Sequence, residues 1–537
     1  MKAKLRCSKE IPYEDNENKG LSVGCSCYQK SKFLLYDNQR PHQFKLSWVL
    51  SNLAHCRIFS RFRKITPFMA DQDTSQEEEK VERSNKMPAG IPYIIGNEAA
   101  ERYSFYGMKA ILFIFLTRFI MNAAGETDVL SDEDAKFWVH LFIFGAYGVS
   151  IFGAFLSDIW LGKYRTIMYL SIIYCIGHFV LALFETHTGF LIGCSLIAIG
   201  AGGIKPCVSA HVGDQFTSKN QHLLEKMFTW FYFAINAGAV VAYLTAEPIL
   251  RNEYLISKGL NATIAFGLPG VLMVVATLVF YAGRHKFISI KPAGWAVYQK
   301  ELFSKKGAAL VLKLIPIYLF ITIFWSLFDQ TGSAWVQQAD SDLMNKHVDL
   351  GFIAFDFFPS QIGFFNPLLI VIFVPLFAAV IYPALRKLIP MTYVNKIAIG
   401  MVLASLSFAL ISWVQMNMDN GVTMSILWQV LGFVILTAAE IMVSITALEF
   451  SYTQAPNVMK SFILSFYLIA VSLGNLFTAL VNAFIKNPDG TTKLEGAEYF
   501  WFFTVMMAIA AVAFYFVNRN YKEETYIQSR EDAEDFI

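Results

Sequence analysis

The sequence contains few charged residues for its size. Asp, Glu, Lys and Arg make up only 16% of its 537 residues, whereas a soluble globular protein carries about 25%. So few charges cannot cover a soluble surface of this size, which excludes an ordinary cytosolic enzyme and a disordered protein. The net charge of +2 also gives no electrostatic basis for binding nucleic acid, whose phosphate backbone attracts strongly basic proteins.

Cysteine is also scarce, with seven residues in the whole chain. They form no dense disulfide framework, which excludes a disulfide-stapled secreted domain. Four of them lie near the start, at Cys7, Cys25, Cys27 and Cys56, and we interpret these as reduced thiols rather than as a metal site. The sequence contains no HExxH motif, Walker loop or cofactor fingerprint. We therefore predict neither an enzyme nor a bound cofactor.

Hydrophobic residues, in contrast, are abundant. They make up 55% of the chain, and the mean hydropathy is +0.44. From Pro88 onward, apolar runs recur that are long enough to cross about 30 Å of hydrocarbon at about 1.5 Å per residue. The sequence therefore predicts an all-α protein of the lipid bilayer with twelve transmembrane helices. Their predicted ranges are 90–122, 134–160, 163–185, 188–213, 221–249, 261–283, 308–333, 360–386, 393–415, 422–453, 457–486 and 497–518.

The polar segments divide the chain into five parts. Residues 1–87 read as a polar, disordered cytoplasmic tail. Residues 88–283 and 308–518 each hold six predicted helices, and the basic segment 284–307 joins these two bundles on the cytoplasmic side. Residues 519–537 form a second cytoplasmic tail. Two six-helix halves are typical of an alternating-access transporter, although the helix count alone also fits a channel or a membrane-embedded enzyme.

Lysine and arginine are concentrated in alternate gaps between the predicted helices. By the positive-inside rule these gaps are cytoplasmic. The opposite gaps are acidic, as in Glu126–Asp134 and Asp340–Asp349. We therefore predict that both termini are cytoplasmic and that the protein is a multi-pass protein of the cell (inner or plasma) membrane.

The first predicted helix carries several ionisable side chains. Glu98, Glu101, Arg102, Tyr106 and Lys109 fall on one helical face. Charged groups are costly in lipid and usually face a water-filled path or other helices. We interpret this stripe as functional rather than as a static ion network.

Further polar groups lie inside later predicted helices. Lys205 is a lone cation in the fourth helix, and Glu440 in the tenth is its natural partner or the partner of a substrate ammonium. Asp329 lies in the seventh helix. Asn236 and Asn366 place amides in the fifth and eighth helices, where either a packing or a functional role is consistent with the sequence.

Two groups of residues suggest proton movement and gating. His140 opens the second helix, where a simple interfacial histidine and a proton carrier are equally compatible with its position. Asp158 lies beside Lys163 and Arg165 at the junction of the second and third helices, and such a cluster can lock one face of a rocking protein. We assign gating to five residues, namely Asp158, Lys163, Arg165, Asp329 and Glu449.

Several segments of the chain resemble a known transporter family. The segment GAFLSDIWLGKYR (153–165) resembles the loop motif of the major facilitator superfamily. NEAAERYSFYG (97–107) and GAGGIKPCVSAHVGDQF (200–216) resemble the first-helix and fourth-helix motifs of the proton-dependent oligopeptide transporters. Three further segments match that family in order, namely FYFAINAG, FWSLFDQTGSAW and ALEFSYTQAPNVMKS. The resemblance covers residues 90–525.

This resemblance implies the major facilitator fold and a symporter that imports di- and tripeptides with protons. It implies that Arg102 and Lys205 hold the peptide carboxylate. The residues implied at the amino end are Glu440, Asn236 and Asn366, and those lining side-chain pockets are Tyr106, Tyr147 and Trp325. Proton coupling is implied for Glu98 and Glu101, with His140 a weaker choice. We expect the protein to function as a monomer. The alternative is the same fold carrying nitrate, histidine or another amino-acid-like anion.

The sequence departs from the family pattern in four places. Tyr103 replaces the motif's phenylalanine, and Phe105 replaces its first tyrosine, which removes one hydroxyl. The segment 284–307 is too short for the two extra helices of many bacterial members. The loop Met416–Val422 is too short for the large extracellular domain of animal members. The head of the chain, to Met87, has no counterpart that we recognise.

Overall fold

The structure is a computed structural model that describes most of the chain. The described residues are 84–217, 219–292, 294–302, 305–349, 351, 354–454, 460–489, 491–519 and 521. The predicted tail 1–87 lies outside them apart from its last four residues. The predicted C-terminal tail 519–537 lies outside them apart from Arg519 and Tyr521.

Twelve long helices make up most of the described chain. In the first half they are α1 Ile91–Arg118, α2 Asp132–Leu161, α3 Lys163–Leu183, α4 His187–Gly213, α5 Leu224–Leu250 and α6 Asn261–Ala282. In the second half they are α7 Lys305–Phe328, α8 Pro359–Leu385, α9 Tyr393–Asp419, α10 Leu427–Ser451, α11 Lys460–Ile485 and α12 Ala497–Asn518. The predicted all-α membrane fold is confirmed.

Eleven helices in the described chain are long and apolar enough to cross a membrane. The helix α1 differs because of the charges at Glu98, Glu101, Arg102 and Lys109. It has 28 residues, which corresponds to about 42 Å. Glu98, Glu101 and Lys109 are buried, and α1 packs against α5 and α6. Its charges therefore face protein rather than lipid.

Short elements connect the long helices. Helix α7 continues through a 3₁₀ turn, Asp329–Gly332, into a short helix, Ala334–Asp340, and we call these two segments the α7 extension. Two other short helices are Glu253–Ser257 and Trp295–Leu302, and Gln221–Leu223 is a 3₁₀ turn. The described residues also contain four short strands, which the sequence did not predict and which form two pairs. They are Met344–Asn345 with Met424–Ser425, which is parallel, and His347–Asp349 with Ala354–Asp356, which is antiparallel.

The apolar side chains are buried in two main cores. One core comes almost entirely from α1–α6, and the other from α7–α12 and the α7 extension. Hydrogen bonds connect the two halves, as between Lys109 and Asp329 and between Lys136 and Gln337. We call the end of the molecule that carries the acidic loops the acidic end, and the opposite one the basic end. Residues 119–131 and the described residues of 341–358 belong to the acidic end.

Helices α2 and α4 approach each other closely at two glycines. A Cβ atom on Gly153 would lie 2.7 Å from the carbonyl carbon of Gly203, which is closer than non-bonded carbon atoms pack. Small residues such as Gly153 and Gly203 let two membrane helices pack backbone to backbone where they cross. A third glycine, Gly162, allows the turn after α2, because its φ of 78° favours glycine.

Replacing Gly153 by alanine is expected to destabilise the first half of the protein. The new methyl group must push α2 away from α4, and overpacking of this kind costs about 1–3 kcal/mol. We expect a lower melting temperature for Gly153→Ala in detergent. The control is Gly213→Ala, because Gly213 ends α4 and a Cβ atom there would meet no neighbouring atom within 4 Å. Equal melting temperatures for the two variants would contradict the close contact.

Candidate functional site

A central cavity lies between the two halves. It has a volume of about 80 Å³, and both halves contribute to its wall. Seven of the residues predicted to act in the site line it together, namely Tyr106, Tyr147, Asn236, Trp325, Asp329, Asn366 and Glu440. The wall also includes Lys109 from α1 and Tyr243 from α5. Residues more than 300 positions apart in the sequence therefore share one small polar space.

Glu440 forms the acidic part of this wall. The Nδ2 atom of Asn366 donates a hydrogen bond to Glu440 Oε2 at 2.6 Å and contacts Thr437 Oγ1 at 3.2 Å. None of the ion pairs in the described part of the chain includes Glu440. On the opposite side, Asn236 donates to the carbonyl of Tyr232 at 2.8 Å. The Asn366 amide thus orients the carboxylate of Glu440, which has no cationic partner among the described residues.

The predicted basic residues lie behind the cavity wall. Arg102 Nε is 2.9 Å from Glu98 Oε1 and 2.5 Å from Glu101 Oε2, and Arg102 is absent from the residues that line the cavity. Its guanidinium is thus held by two carboxylates of its own helix in this conformation.

Lys205 also lies behind the wall, between two aromatic rings. Its Nζ is 3.6 Å from the ring centroid of Tyr147 and 4.1 Å from that of Phe105. Within the described structure it has no hydrogen-bond partner. The predicted partnership of Lys205 with Glu440 is not formed in this conformation. The ring of Tyr147 belongs to the cavity wall, so Lys205 is one aromatic ring away from the cavity.

A chain of polar side chains joins the halves beside the cavity. Lys109 Nζ donates to Asp329 Oδ1 at 2.6 Å, and Asn475 Nδ2 donates to Asp329 Oδ2 at 2.7 Å. His140 completes it, with Nδ1 2.8 Å from Asn475 Oδ1 and Nε2 2.8 Å from Ser333 Oγ. We call these five residues the polar bridge. Because Asn475 must present its amide NH₂ to the carboxylate, its oxygen accepts from His140, whose Nδ1 therefore carries a proton.

The polar bridge corrects one sequence interpretation. The sequence allowed His140 to be either a simple interfacial histidine or a proton carrier. The first interpretation is wrong, because His140 is completely buried and forms hydrogen bonds with the opposite half. Asp329 was assigned to gating, and the structure places it both in the cavity wall and in the bridge. Asn475 and Ser333 were missed. An asparagine in the middle of an apolar helix was the available signal for Asn475.

Ion pairs close the acidic end. Asp340, at the end of the α7 extension, pairs with Arg118 of α1 and with Arg251, whose Nη2 is 2.7 Å from Asp340 Oδ1. Arg251 also pairs with Glu247 at 2.7 Å, and Glu247 accepts a hydrogen bond from the Ser360 backbone N–H at 2.6 Å. We call Arg118, Arg251, Glu247 and Asp340 the acidic-end clamp. Lys486 and Asp134 form another pair between the halves.

Removing the central charge of the clamp should open the acidic end. In Asp340→Asn, Arg118 and Arg251 lose their shared anion, so the closed state loses contacts that exist only when the halves meet. We expect the open population to rise about tenfold, equivalent to about 1.4 kcal/mol. Electron–electron distance measurements between labels at Y254C and V422C, in a background without other cysteines, report this opening.

The matched control for the clamp is Asp356→Asn. Asp356 is at the same end but pairs with His347 at 2.9 Å, inside one half. Its replacement should leave the label distances unchanged. If Asp340→Asn also leaves them unchanged, the clamp does not hold the halves together.

The basic end differs from the predicted cluster. Lys163 pairs with Asp214 at 2.7 Å, not with Asp158 as the sequence suggested. Asp158 accepts from the neighbouring Ser157 hydroxyl at 3.1 Å, and Arg165 is exposed. Glu449 accepts from Tyr393 at 3.1 Å within the second half. The gating roles of these residues remain predictions.

Fold and site together define a twelve-helix transporter with a cavity between two six-helix halves. The chain matches the POT family, under the heading PTR2, at residues 164–304 and 304–502. These regions make up more than half of the sequence, so the chain belongs to the POT family. The family predicted from the motifs is confirmed, and the matched proteins are transporters rather than enzymes.

Similar proteins come from several animals. The chain is 35% identical over 374 residues to "Peptide transporter family 1" of Drosophila melanogaster, an alignment that covers 62% of this chain and 48% of that protein. It is 36% identical to "Solute carrier family 15 member 2" of Danio rerio, with 63% and 52% covered. It is 34% identical to "Solute carrier family 15 member 1" of Homo sapiens, with 62% and 52% covered. The chain thus matches about half the length of these relatives.

Solved structures show the same fold. A crystal structure of an auto-inhibited POT family peptide transporter superposes with a TM-score of 0.71 at 31% identity, covering 82% of this chain and 99% of that one. The POT family transporter PepTSo gives a TM-score of 0.71 at 33% identity, with 81% and 99% covered. The major facilitator fold predicted from the sequence is confirmed, and the chain is a multi-pass membrane protein.

Proposed function

We propose that the protein is a proton-coupled symporter that imports di- and tripeptides by alternating access. We further propose that it acts as a monomer in the plasma membrane, with both termini cytoplasmic and the acidic end outside. The observation that carries this proposal is the distribution of charge in and behind the wall of the central cavity. An anionic group without a cationic partner, Glu440, lies in the second half, and two cations, Arg102 and Lys205, lie in the first. Similar sequences and similar solved structures that are named as peptide transporters support it.

A zwitterionic peptide fits this layout. Its ammonium group would lie against Glu440, Asn366 and Asn236. Its carboxylate would lie toward Lys205 and Arg102. Recognising the two ends leaves the peptide side chains to aromatic groups, which accept many shapes. These groups are Tyr106, Tyr147 and Trp325.

The described conformation is closed at the acidic end. Its cavity of about 80 Å³ is far below the roughly 300 Å³ at which ligand pockets begin, and the acidic-end clamp is formed. A peptide can therefore enter only after the halves move apart. That requirement is the physical basis of alternating access, because one cavity is exposed to each side in turn.

Proton coupling is proposed at Glu98 and Glu101. Both are buried and both contact Arg102, so two anions share one cation. Two close carboxylates disfavour double ionisation, and one of them can hold a transferable proton. A proton on one carboxylate weakens its ion pair with Arg102, and the guanidinium can then bind the peptide carboxylate. Binding of the proton and of the peptide then favour each other.

The polar bridge is a second proposed part of the proton path. His140 can take a proton on Nε2, where Ser333 Oγ would then change from donor to acceptor. The added charge would lie next to Asn475 and in the field of Asp329 and Lys109. Since these residues come from both halves, a change in their charge alters how strongly the halves hold together.

Replacing His140 by glutamine tests this part of the path. Glutamine can donate and accept hydrogen bonds but cannot carry a proton, so the bridge can persist while the relay is lost. We expect proton-driven dipeptide accumulation to fall about tenfold or more, with peptide exchange preserved. The control is His178→Gln, because His178 is equally buried but has no hydrogen-bond partner in the described structure. Normal accumulation by His140→Gln would remove His140 from the path.

Competition for uptake distinguishes peptides from the alternative solutes. We expect unlabelled di- and tripeptides to inhibit uptake of a radiolabelled dipeptide by proteoliposomes. Nitrate and free histidine should not inhibit at the same concentration, because neither presents an ammonium and a carboxylate at peptide spacing. Uptake of labelled nitrate or histidine without uptake of dipeptide would contradict the proposed substrate class.

A further inference from the structure

A second cavity lies between the halves at the acidic end. Its volume is about 570 Å³, about seven times that of the central cavity. The first half contributes the end of α1 and the start of α2. The second half contributes the α7 extension, a residue of α9 and the start of α12 with the loop before it. We call it the acidic-end cavity.

The polar bridge separates this cavity from the central one. On α1, Lys109 lines the central cavity and Phe113, one turn later, lines the acidic-end cavity. On α2, Lys136 lines the acidic-end cavity and Tyr147 the central one, with His140 between them. The two spaces are therefore distinct in this conformation, and a ligand of one does not contact the wall of the other.

One wall of the acidic-end cavity contains a buried cation. Lys136 is only 3% exposed. Its Nζ donates to Gln337 Oε1 at 3.1 Å, lies 3.7 Å from Glu133 Oε1, and lies 4.5 Å from the ring centroid of Tyr499. An ammonium group has three N–H donors. The described contacts give it one hydrogen bond and one loose ion pair, which leaves donor capacity for a carboxylate in the cavity.

The lining carries more negative than positive charge. The cavity is lined by four carboxylates, those of Asp132, Glu133, Asp340 and Glu495, and by two cations, Arg118 and Lys136. Asp340 is paired with Arg118. Asp132 accepts from Gln337 at 2.6 Å, but among the described ion pairs neither it nor Glu495 has a cation. This surplus of negative charge attracts an ammonium group.

Aromatic rings complete the lining. Phe113, Tyr499 and Phe500 contribute to it, and Tyr499 and Phe500 are buried. Aromatic surface of this kind binds an apolar side chain and also stabilises a nearby cation. The cavity thus presents a donor for a carboxylate, anions for an ammonium group and a surface for a ring.

We propose that the acidic-end cavity is a second ligand site, which binds a free α-amino acid with an apolar aromatic side chain, such as phenylalanine. Lys136 binds its carboxylate, Asp132 and Glu495 attract its ammonium group, and the rings contact its side chain. Because both halves form the site, occupancy stabilises the closed acidic end. The site does not depend on the proposed transport of peptides.

Binding of L-phenylalanine to the purified protein tests the proposal. Saturation-transfer NMR or calorimetry is expected to show binding that persists with saturating dipeptide, and also in Glu440→Gln. Phenethylamine, which lacks the carboxylate, and hydrocinnamate, which lacks the ammonium group, should each bind about tenfold more weakly. Displacement of phenylalanine by the dipeptide, or absence of binding, would overturn the proposal.

Two pairs of variants assign the groups. Lys136→Met should bind phenylalanine and phenethylamine equally. The control is Lys258→Met, which replaces a lysine at the same end but outside the lining, and it should still bind phenylalanine more tightly than phenethylamine. Glu495→Gln should lower the affinity for phenylalanine more than the affinity for hydrocinnamate. The control Glu498→Gln, three residues further on, should leave both affinities unchanged. Glu495 is exposed, so its variant remains informative if Lys136→Met does not fold. Unchanged preferences in Lys136→Met and Glu495→Gln would place the ligand elsewhere.

Discussion

Glu98→Gln and Glu101→Gln are each expected to abolish proton-driven accumulation of a dipeptide while leaving peptide-for-peptide exchange largely intact. Glutamine resembles the protonated carboxyl group and cannot release a proton. Exchange needs only binding and movement of the halves, whereas accumulation needs a proton to bind on one side and leave on the other. The measurement is uptake by proteoliposomes under an imposed pH gradient, compared with counterflow into vesicles preloaded with peptide.

The control for this pair is Glu185→Gln. Glu185 lies in the loop after α3 and accepts a hydrogen bond from Thr263 at 3.2 Å, away from Arg102, so its replacement should leave both modes of uptake unchanged. If Glu98→Gln and Glu101→Gln still concentrate the dipeptide as the parent protein does, the coupling site lies elsewhere. Asp329 and Glu440 would then be the next residues to test.

Glu440→Gln is expected to lose recognition of the peptide amino end. The variant retains a hydrogen-bonding amide beside Asn366 but removes the negative charge that attracts the ammonium group. A charge-assisted hydrogen bond contributes about 1.5–3 kcal/mol, so the affinity for a dipeptide should fall about tenfold to a hundredfold. Calorimetric titration of the purified protein measures this change directly.

An N-acetylated dipeptide provides the matched control for Glu440. It lacks the ammonium group, so the parent protein should bind it as weakly as the variant binds the free peptide. Glu440→Gln should bind the acetylated and free peptides equally. If the variant still prefers the free peptide, another residue recognises the amino end.

The helices were predictable because their signal is local. Each apolar run had the length of a membrane span, and the structure places helices at all twelve positions with shifts of a few residues at many ends. The start of α10 shows what a local signal cannot predict. The sequence placed it at 422, but Met424–Ser425 first pairs with Met344–Asn345. A strand pairing between segments 80 residues apart leaves no periodic pattern in either one.

The sequence predicted many residues of the site, but not which of them pair with one another. Intramembrane charges and amides stand out against an apolar sequence, so Glu440, Asn366 and Asp329 were found from their positions. Which partner each one takes depends on how helices from the two halves pack. Asp329 therefore pairs with Lys109, and Lys205 lies against Tyr147 rather than Glu440.

The residues that were missed act across the interface between the halves. Asn475 bonds both Asp329 and His140, and Asp340 joins Arg118 to Arg251. None of these contacts follows from spacing along one helix. Asp340 also lay in an acidic loop, where a carboxylate is ordinarily solvated, so only the packed structure identifies it as part of the clamp.

Dipeptide uptake into proteoliposomes with an acidic exterior tests the central claim most directly. Proton-coupled symport predicts accumulation above the external concentration, loss of that accumulation when a protonophore removes the gradient, and acidification of the vesicle interior in step with uptake. Uptake that only equilibrates the dipeptide, at the same rate with and without the pH gradient, would contradict proton-coupled symport.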